Sequence, residues 1–502
     1  MELCEKNKNN PAKFVAAASF VFFVFLMSYN LMHSALWTDE WVEYRISQLS
    51  TRDGSMYQQI IKTFQPPLYN FVMHFWLRIS NSIEWFRFFN VIIGTIAGIF
   101  LYLSLKKMYT AYVASAALVM LSISYQWIYC IQECSEYTLM LMFLFGSIYY
   151  YIQAVDTKST RSAILFVLMC VGAMYSQYGS FFVVVPLLVL FYANVLGEKK
   201  RKRIVAVTVG YALCLIVFAA PLYWFFARIQ MANNEIGSAD TIVSFTADNI
   251  KELPLVIGQL VGYLWNLNLD QITGYLINIF SILLLTAAFW LLFKMRKQWI
   301  KVSLILVLLV AYIFHYILVV LHIYAMVHPG QSAGFYSRYS YFYIPLFCIV
   351  IPVIFMECLK RIRSQEIKYA VLGGTFMVSV LIAVFAFPNI VENWNKSYDD
   401  QIAEIWLNNK GYNDTTYLLD NAKSGFNYYI VQGENADYQQ NVLAASKMDY
   451  ENLPQKFWLW RSSGGDERYL KVIEAVKEKG YSVQEYLNKG YGGRLTCCIK
   501  VE

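Results

Sequence analysis

The sequence has few charged residues and lacks the short motifs that bind nucleotides or catalytic zinc. Charged side chains make up only 15% of 502 residues, whereas 58% are hydrophobic. This composition excludes an ordinary soluble protein and predicts a multi-pass membrane protein. No GxGxxG, P-loop or HExxH pattern occurs, so nothing supports a nucleotide- or zinc-dependent activity. The 9 cysteines lack CxxC spacing and mostly lie in apolar runs, which favours buried thiols over metal ligands or disulfides.

Long apolar runs are what the sequence has instead. A spanning helix needs about 20 mostly apolar residues. About eleven runs qualify, and a shorter piece at 66–79 favours a half-helix or an interfacial helix. The first run follows a basic N-terminus and is expected to be an uncleaved signal anchor. The predicted spans are 14–36, 83–105, 111–130, 137–155, 162–176, 178–197, 204–227, 272–294, 300–324, 338–358 and 367–388.

Clusters of Lys and Arg predict the orientation of these spans. With the N-terminus in the cytoplasm, the basic loops all fall on the inner side, as the positive-inside rule requires. These loops are 106–107, 156–161, 199–203, 294–301 and 360–368. The opposite loops collect on the outer face, and they are 37–82, 131–136, 175–179, 228–271 and 325–337.

The C-terminal part of the chain has a different texture. From residue 389 it carries 13 Lys and Arg against 16 Asp and Glu, a net charge of −3, which leaves +10 for the rest. Short strand and helix patterns alternate there, for example KFWLWRS followed by ERYLKVIEAVKEKGY. We therefore predict a membrane domain over 1–388, with its first outer loop at 37–82, and a small extracytoplasmic α/β domain over 389–502.

Polar motifs of the predicted membrane domain gather at the outer ends of the spans. Asp39 and Glu40 follow the first span, and a carboxylate there can act as a general base or simply be a solvated loop acid. Gln65, Pro66 and Pro67 precede an apolar helix and are equally consistent with an ordinary helix start. The remaining candidates are Gln132, Glu133, Glu136 and Tyr137 in a short outer loop, Gln177 and Tyr178 in an outer turn, and Arg338 and Tyr339 at the start of a span.

The Glu133–Glu136 loop and Arg338 also have competing interpretations. Charged residues between apolar runs require a cation or a polar cavity unless they lie in an ordinary solvated loop, and the Glu133–Glu136 loop fits either. Arg338 can hold a phosphate bidentately, or it can extend to lipid headgroups.

Together, in this order and spacing over about 14–360, these residues resemble the GT-C superfamily of integral-membrane glycosyltransferases. The similarity is to the branch with protein O-mannosyltransferases and lipid A aminoarabinose transferases. It is carried by Asp39–Glu40, the Pro-Pro-Leu-Tyr element ending at Tyr69, Arg87, the Gln-Glu-x-x-x-Tyr stretch at 132–137, the Tyr-rich turn at 175–178, and Arg338–Tyr339.

The resemblance implies an α-helical multi-pass fold of the GT-C type and a polyprenyl-phosphate-linked sugar as donor. It implies that Asp39 is the catalytic base, supported by Glu40, and that the reaction inverts the anomeric carbon. Donor phosphate and lipid would be held by Arg338, Tyr339, Tyr69 and Arg87. The acceptor pocket would be formed by Gln132, Glu133, Glu136, Tyr137, Gln177, Tyr178, Gln65, Pro66 and Pro67. The acceptor would be an envelope lipid, glycan or protein, and no nucleic acid is involved.

The sequence departs from the family pattern at three positions. Gln65 and Gln177 stand where relatives often carry His, and Ser135 stands where an Arg is common. Because such residues bear on the donor and on metal binding, no metal site is carried over, and a divalent cation stays an open alternative. Two other functions stay open as well. One is a membrane transporter or lipid flippase, which would more often place polar residues at mid-span. The other is a polysaccharide polymerase or ligase that uses a lipid-linked glycan.

Overall fold

The computed structural model describes residues 10–29, 31, 35–233, 271–320, 340–392, 397–411, 413–419, 422–431, 441–462 and 467–501. By contacts the chain divides into two compact units. The first contains Met1–Tyr29, Ser47–Ile79 and Arg87–Ile390, and the second contains Asn30–Ile46, Ser80–Phe86 and Val391–Glu502. Two stretches at the ends of the predicted outer loop 37–82 therefore group with the C-terminal residues.

Up to residue 392 the described chain is helical. Its helices are α1 Asn10–Ser28, α2 Thr38–Gln48, α3 Ser55–Ile60, α4 Leu68–Trp76, α5 Ile83–Met108, α6 Ala111–Ser122, α7 Tyr125–Gln132, α8 Tyr137–Thr157, α9 Thr160–Ser176, α10 Phe181–Leu196, α11 Arg201–Asn233, α12 Gln271–Lys294, α13 Trp299–Val320, α14 Tyr343–Leu359 and α15 Gln365–Glu392. A 3₁₀ turn, Tyr178–Ser180, leads into α10.

Several of these helices are long and apolar enough to cross a membrane. Five pass by length and composition in the described part of the chain, or six if the bent pair α6–α7 is one span. The prediction of a mostly helical chain with several apolar helices is confirmed, whereas the count of about eleven spans stays a prediction. The five are Pro11–Ser28, Ile83–Met108, Tyr137–Thr157, Tyr178–Leu196 and Arg201–Asn233.

The predicted span 111–130 is broken into two helices bent by 69°. The break has a local cause in the sequence. Ser124 has extended backbone, and its side chain accepts a hydrogen bond from the Trp127 backbone N–H, so it caps a new helix. The apolar periodicity continues through this cap, which is why hydropathy alone predicts one span.

Close helix packing shapes the centre of the first unit. Gly172 of α9 lies against the Phe143 ring of α8, where an added Cβ would come within 2.5 Å of a ring carbon. A small residue is thus needed at this contact, as is common between membrane helices. Helix α11 is less regular, because Leu215–Ala219 and Tyr223–Ala227 form π-helical turns on either side of Pro221. A proline lacks the N–H that a regular turn requires.

The C-terminal residues of the second unit form a five-stranded sheet with the strand order β2-β1-β3-β5-β4. Strands β2, β1 and β3 are parallel, whereas β3, β5 and β4 are antiparallel neighbours. The elements are α16 Asp399–Asn409, β1 Thr415–Leu419, α17 Ala422–Phe426 with the π-helical turn Asn427–Val431, β2 Val442–Ala444, β3 Lys456–Arg461, α18 Glu467–Glu478, β4 Tyr481–Asn488 and β5 Arg494–Lys500.

Alternation along the strands gives this sheet two apolar faces. In β3, Trp458 and Trp460 pack with α16 and α17 around Trp406, while Phe457 and Leu459 pack with α18. Burying both faces requires the period of two seen in KFWLWR.

Candidate active site

The first turn of helix α2 contains the predicted catalytic pair, Asp39 and Glu40, and the two carboxylates have different surroundings. Glu40 is only 1% exposed, and its Oε2 accepts a hydrogen bond from the Trp37 backbone N–H at 3.0 Å. This is the bond that the third residue of a helix makes to its N-cap in a capping box. Asp39, at the second position, is half-buried. Glu40 therefore fixes the helix start, and Asp39 is the more accessible carboxylate.

The second buried carboxylate of α2 lies one turn further along. Glu43 is 2% exposed, as are Trp41 and Tyr44. Helix α2 is rich in polar residues and has no continuous apolar stripe. The helix is therefore buried mainly through its aromatic residues, Trp41 and Tyr44. Asp39, Glu40 and Glu43 all belong to the second unit.

The Pro-Pro element begins α4, as the sequence predicts. Pro67 is the N-cap residue of α4 with φ −78°, a value to which the proline ring restricts φ without strain. Pro66 and Tyr69 are buried, and the Tyr69 ring lies 6.4 Å from that of Phe89.

Helix α4 also carries a polar cluster that sequence reasoning missed. His74 Nδ1 lies 3.0 Å from the Ser47 carbonyl, and Arg78 Nη2 lies 2.8 Å from His74 Nε2. The Ser47 carbonyl can only accept, so Nδ1 carries the proton and donates it. The Arg78 guanidinium can only donate, so Nε2 accepts, which corresponds to a neutral ring protonated at Nδ1. A His followed four residues later by an Arg on one helix face is the signal that could have found this pair.

A buried glutamine connects two of the predicted pocket residues. Gln230 of α11 is fully buried. Its Oε1 accepts from the Tyr178 hydroxyl at 2.7 Å, and its Nε2 donates to the carbonyls of Ile60 at 2.9 Å and Gln65 at 2.7 Å. The structure thus brings Gln65 and Tyr178 together through a residue that the sequence did not single out. The signal was available, because Gln230 is a polar residue near the end of a long apolar run.

Two other predicted pocket residues are engaged at helix ends. The Gln132 Nε2 donates to the carbonyls of Tyr29 at 2.7 Å and Met27 at 3.3 Å, where α1 ends. The Gln177 side chain accepts from the Gly179 backbone N–H. These bonds satisfy backbone groups that helix ends leave without partners.

The short turn between α7 and α8 buries both of its carboxylates. Glu133 and Glu136 are each 1% exposed, and Arg87 of α5 is 3% exposed. The Asn90 Nδ2 donates to the Glu133 carbonyl at 2.6 Å, so that α5 lies beside this turn. Arg87 is three residues before Asn90 and shares its face of the helix. Because buried charges require opposite charges or hydrogen bonds, this part of the first unit is a polar site within a largely apolar domain.

Two tyrosine rings pack together next to the same turn. The Tyr137 ring lies 5.3 Å from the Tyr341 ring, and the Tyr341 hydroxyl donates to Gln126 Oε1 at 2.9 Å. Arg338 and Tyr339, the predicted phosphate residues, lie outside the described residues. Among the residues that the structure does describe, no group of three or more His, Cys, Asp or Glu side chains could hold a metal ion.

Comparison with known proteins finds one matching family model and several similar folds. Residues 64–224 match the family model of dolichyl-phosphate-mannose-protein mannosyltransferases, a range that includes the Pro-Pro element, Arg87, the 132–137 stretch and Tyr178 but not Asp39. Comparison with curated protein sequences finds no match. The fold is similar to ArnT from Cupriavidus metallidurans, with a TM-score of 0.53 for the apo crystal structure at 11% identity, over 98% of each chain.

Two further solved structures complete the comparison. ArnT bound to undecaprenyl phosphate gives a TM-score of 0.52 at 11% identity, over 97% of this chain and 98% of that one. The Archaeoglobus fulgidus oligosaccharyltransferase complex with zinc and sulfate gives 0.49 at 12% identity, over 96% of this chain and 72% of that one. The likeness to ArnT shows that the chain has an ArnT-like fold. The predicted resemblance to GT-C membrane glycosyltransferases agrees with this fold and with the mannosyltransferase family model matched at 64–224.

Proposed function

We propose that the chain is a membrane glycosyltransferase that moves a sugar from a polyprenyl-phosphate-linked donor to an envelope acceptor on the outer face of the membrane. The observation that carries this proposal is the ArnT-like fold over 98% of both chains. It is supported by the mannosyltransferase model matched at 64–224 and by undecaprenyl phosphate bound in one of the ArnT structures. In this orientation the N-terminus is cytoplasmic and the C-terminal α/β residues are extracytoplasmic.

We assign the general base to Asp39. Its carboxylate would take the proton from an acceptor hydroxyl or amine, whose oxygen or nitrogen attacks the anomeric carbon. The bond between that carbon and the phosphate oxygen breaks, and the polyprenyl phosphate leaves with the electron pair. An attack opposite to the leaving phosphate inverts the anomeric carbon. The assignment is supported by the first turn of α2, where Glu40 is occupied as a cap and Asp39 is half-buried.

The other site residues are proposed in two groups. Arg338, Tyr339, Arg87 and Tyr69 would bind the donor phosphate and lipid, since a guanidinium can hold a phosphate through two hydrogen bonds. The acceptor pocket would be formed by Gln65, Pro66, Pro67, Gln132, Glu133, Glu136, Tyr137, Gln177 and Tyr178. Gln230, through its bonds to Tyr178 and to the Gln65 carbonyl, would support this pocket.

An Asp39→Asn substitution tests the base. Loss of one positioned base commonly costs about 10²- to 10⁴-fold in rate, and the isosteric amide preserves the fold of α2. The measurement is release of polyprenyl phosphate by the purified full-length protein in lipid nanodiscs, supplied with a panel of polyprenyl-phosphate sugars and candidate acceptors. Asp53→Asn is the matched control, because Asp53 lies in the same predicted outer loop and its carboxylate also accepts a backbone hydrogen bond, from the Ser55 N–H at 2.9 Å.

The outcomes separate the base from the function. Transfer by the Asp53→Asn protein and none by the Asp39→Asn protein supports the assignment. Full turnover by Asp39→Asn would show that another group takes the proton. If the unaltered protein releases no polyprenyl phosphate from any sugar donor but moves the intact lipid between leaflets, the function is transport. If only lipid-linked glycans serve as donors, it is a polymerase or ligase.

A further inference from the structure

The second unit packs a group of aromatic side chains against one face of α2. Trp41 and Tyr44 lie three residues apart and therefore share a helix face. The Tyr428 ring, from the π-helical turn Asn427–Val431, lies 5.5 Å from the Trp41 ring and 6.1 Å from the Tyr44 ring. The Phe86 ring lies 5.5 Å from the Tyr44 ring on its other side. We call these four residues the aromatic brace.

Two hydrogen bonds fix the brace to the chain just before α5. The Tyr44 hydroxyl donates to the Asn81 carbonyl at 2.6 Å. The Tyr428 hydroxyl accepts from the Ile83 backbone N–H at 3.3 Å. Tyr428 thus contacts α2 and the start of α5 at the same time, although 345 residues of sequence separate it from Ile83.

A buried aspartate, Asp399, contacts the segment that carries Tyr428. Asp399 is fully buried, and its Oδ1 accepts from Ser462 Oγ at 2.6 Å and from Trp460 Nε1 at 3.2 Å. Gly425, three residues before Tyr428, lies so close to Asp399 that an added Cβ would be 2.7 Å from its Cγ. Since any larger residue at position 425 would push this segment away, the close contact between Asp399 and Gly425 fixes the position of the turn that carries Tyr428.

The brace lies on the face of α2 that points away from Asp39. Successive residues turn by about 100° in a helix, so Asp39 is about 200° around α2 from Trp41 and on the far side from Tyr428. Side chains that pack on this face can fix the orientation of α2. They thereby fix the direction of the Asp39 side chain from the opposite side of the helix. Catalysis depends on such placement, since a displacement of about 1 Å can cost about 10²-fold.

We infer that Tyr428 is a positioning residue for Asp39, through which the C-terminal sheet holds the catalytic turn of α2 in place. This inference rests on the proposed function. It assigns the C-terminal residues a role in the reaction itself, namely orientation of the base, rather than only in acceptor docking. Tyr428 touches neither donor nor acceptor in this role, and it acts through Trp41 and Tyr44.

The test compares Tyr428→Ala with two other variants of the full-length protein. Tyr486→Ala is the matched control, because Tyr486 is also a half-buried tyrosine of the second unit and its ring packs on Trp458 at 4.9 Å rather than on α2. Tyr428→Phe keeps the ring and removes only the hydroxyl. Each protein is assayed for kcat, for KM of the donor, and for amide hydrogen exchange over 38–46.

We expect Tyr428→Ala to lower kcat by about 10- to 100-fold with little change in KM, because misplacing a base affects the transition state rather than donor binding. Amides of 38–46 should exchange faster in this variant only. Tyr428→Phe should restore most of kcat, and Tyr486→Ala should resemble the unaltered protein in both measurements.

Failure of the inference differs from failure of the proposed function. If sugar transfer is present but Tyr428→Ala and Tyr486→Ala lose equal fractions of kcat, or if exchange over 38–46 is unchanged in Tyr428→Ala, Tyr428 does not position Asp39. If the unaltered protein shows no transfer with any donor, the proposed function is wrong, and the positioning inference falls with it whatever the exchange data show.

Discussion

At the scale of single residues, neighbouring carboxylates of the same chemistry have different surroundings. Glu40 is held by a backbone N–H and buried, whereas Asp39 next to it is half-buried. The position in the helix decides this, because the third residue of a helix can reach back to its N-cap and the second cannot. The sequence predicted both residues as catalytic, and the structure gives a reason to separate their proposed roles.

Asp399 is expected to make stability depend on pH. Burial raises its pKa to about 6 from an ordinary value of 3.8, although hydrogen bonds from Ser462 and Trp460 act in the opposite direction. Between about pH 4 and pH 6 the folded chain therefore binds more protons at this group than the unfolded chain does. Its contribution must become less favourable as pH rises through this window, by about 3 kcal/mol in total.

The Asp399→Asn protein checks this prediction. The thermal midpoint of the unaltered full-length protein, relative to that of Asp399→Asn, should fall from pH 4 to pH 6 and stay level above. Asp414→Asn is the control, since burial acts to raise the pKa of Asp414 but hydrogen bonds from Lys456 and Trp458 lower it overall. That group contributes stability at higher pH and loses it as pH falls. An unchanging difference between the unaltered and Asp399→Asn proteins would contradict the prediction.

At the scale of elements, polar side chains on long helices determine how segments meet. Gln230 connects α11 to the end of α3 and to the chain before α4 through its Nε2, and to Tyr178 through its Oε1. Ser124 ends one apolar helix and begins the next. Both are single polar residues in apolar surroundings, where a hydrogen bond has little competition from water.

Gln230→Leu should loosen the segment 60–65. The leucine leaves the Tyr178 hydroxyl and two carbonyls without this partner, at a cost of about 1–3 kcal/mol for each buried group that stays unsatisfied. We expect a lower thermal midpoint and faster amide exchange over 57–66. Asn233→Leu is matched to it, because Asn233 is an exposed residue of the same helix with one bond, 3.1 Å long, to the Ile61 carbonyl. Equal effects of the two substitutions would show that Gln230 is not the main connection.

At the scale of the whole molecule, the second unit is assembled from three separate parts of the chain. Two of them, 30–46 and 80–86, lie at the ends of the loop that follows the first span. The C-terminal sheet and the segment with the proposed base, 30–46, therefore belong to the same compact unit. Removal of the C-terminal part alone would therefore leave the other two parts of this unit without the residues with which they are grouped.

Deletion of 391–502 is expected to expose the aromatic face of α2. Trp41 and Tyr44 would lose Tyr428 and the residues beneath it. Amides of 38–46 should exchange much faster and sugar transfer should be lost, while exchange in α9 of the first unit serves as the internal reference. A truncated protein with native protection over 38–46 would show that α2 is held in place without the C-terminal residues.

Much of the local structure could be predicted from the sequence. Apolar length predicted membrane helices, and the patterns in KFWLWRS and ERYLKVIEAVKEKGY predicted a strand and a helix that the structure has as β3 and α18. The class of protein was also within reach, through ordered motifs. The break at Ser124 and the role of Gln230 were not, because each depends on which backbone groups come close after folding.

The sequence by itself determined that most of the chain is helical, that several segments are apolar enough for a membrane, and which family the chain resembles. These properties follow from neighbouring residues, through periodicity, composition and capping. Only the tertiary structure decided that Tyr428 packs on Trp41, that Asp399 lies beneath Gly425, and that Gln230 connects Tyr178 to Gln65. Such contacts join residues that lie far apart in sequence, and no local pattern specifies their partners.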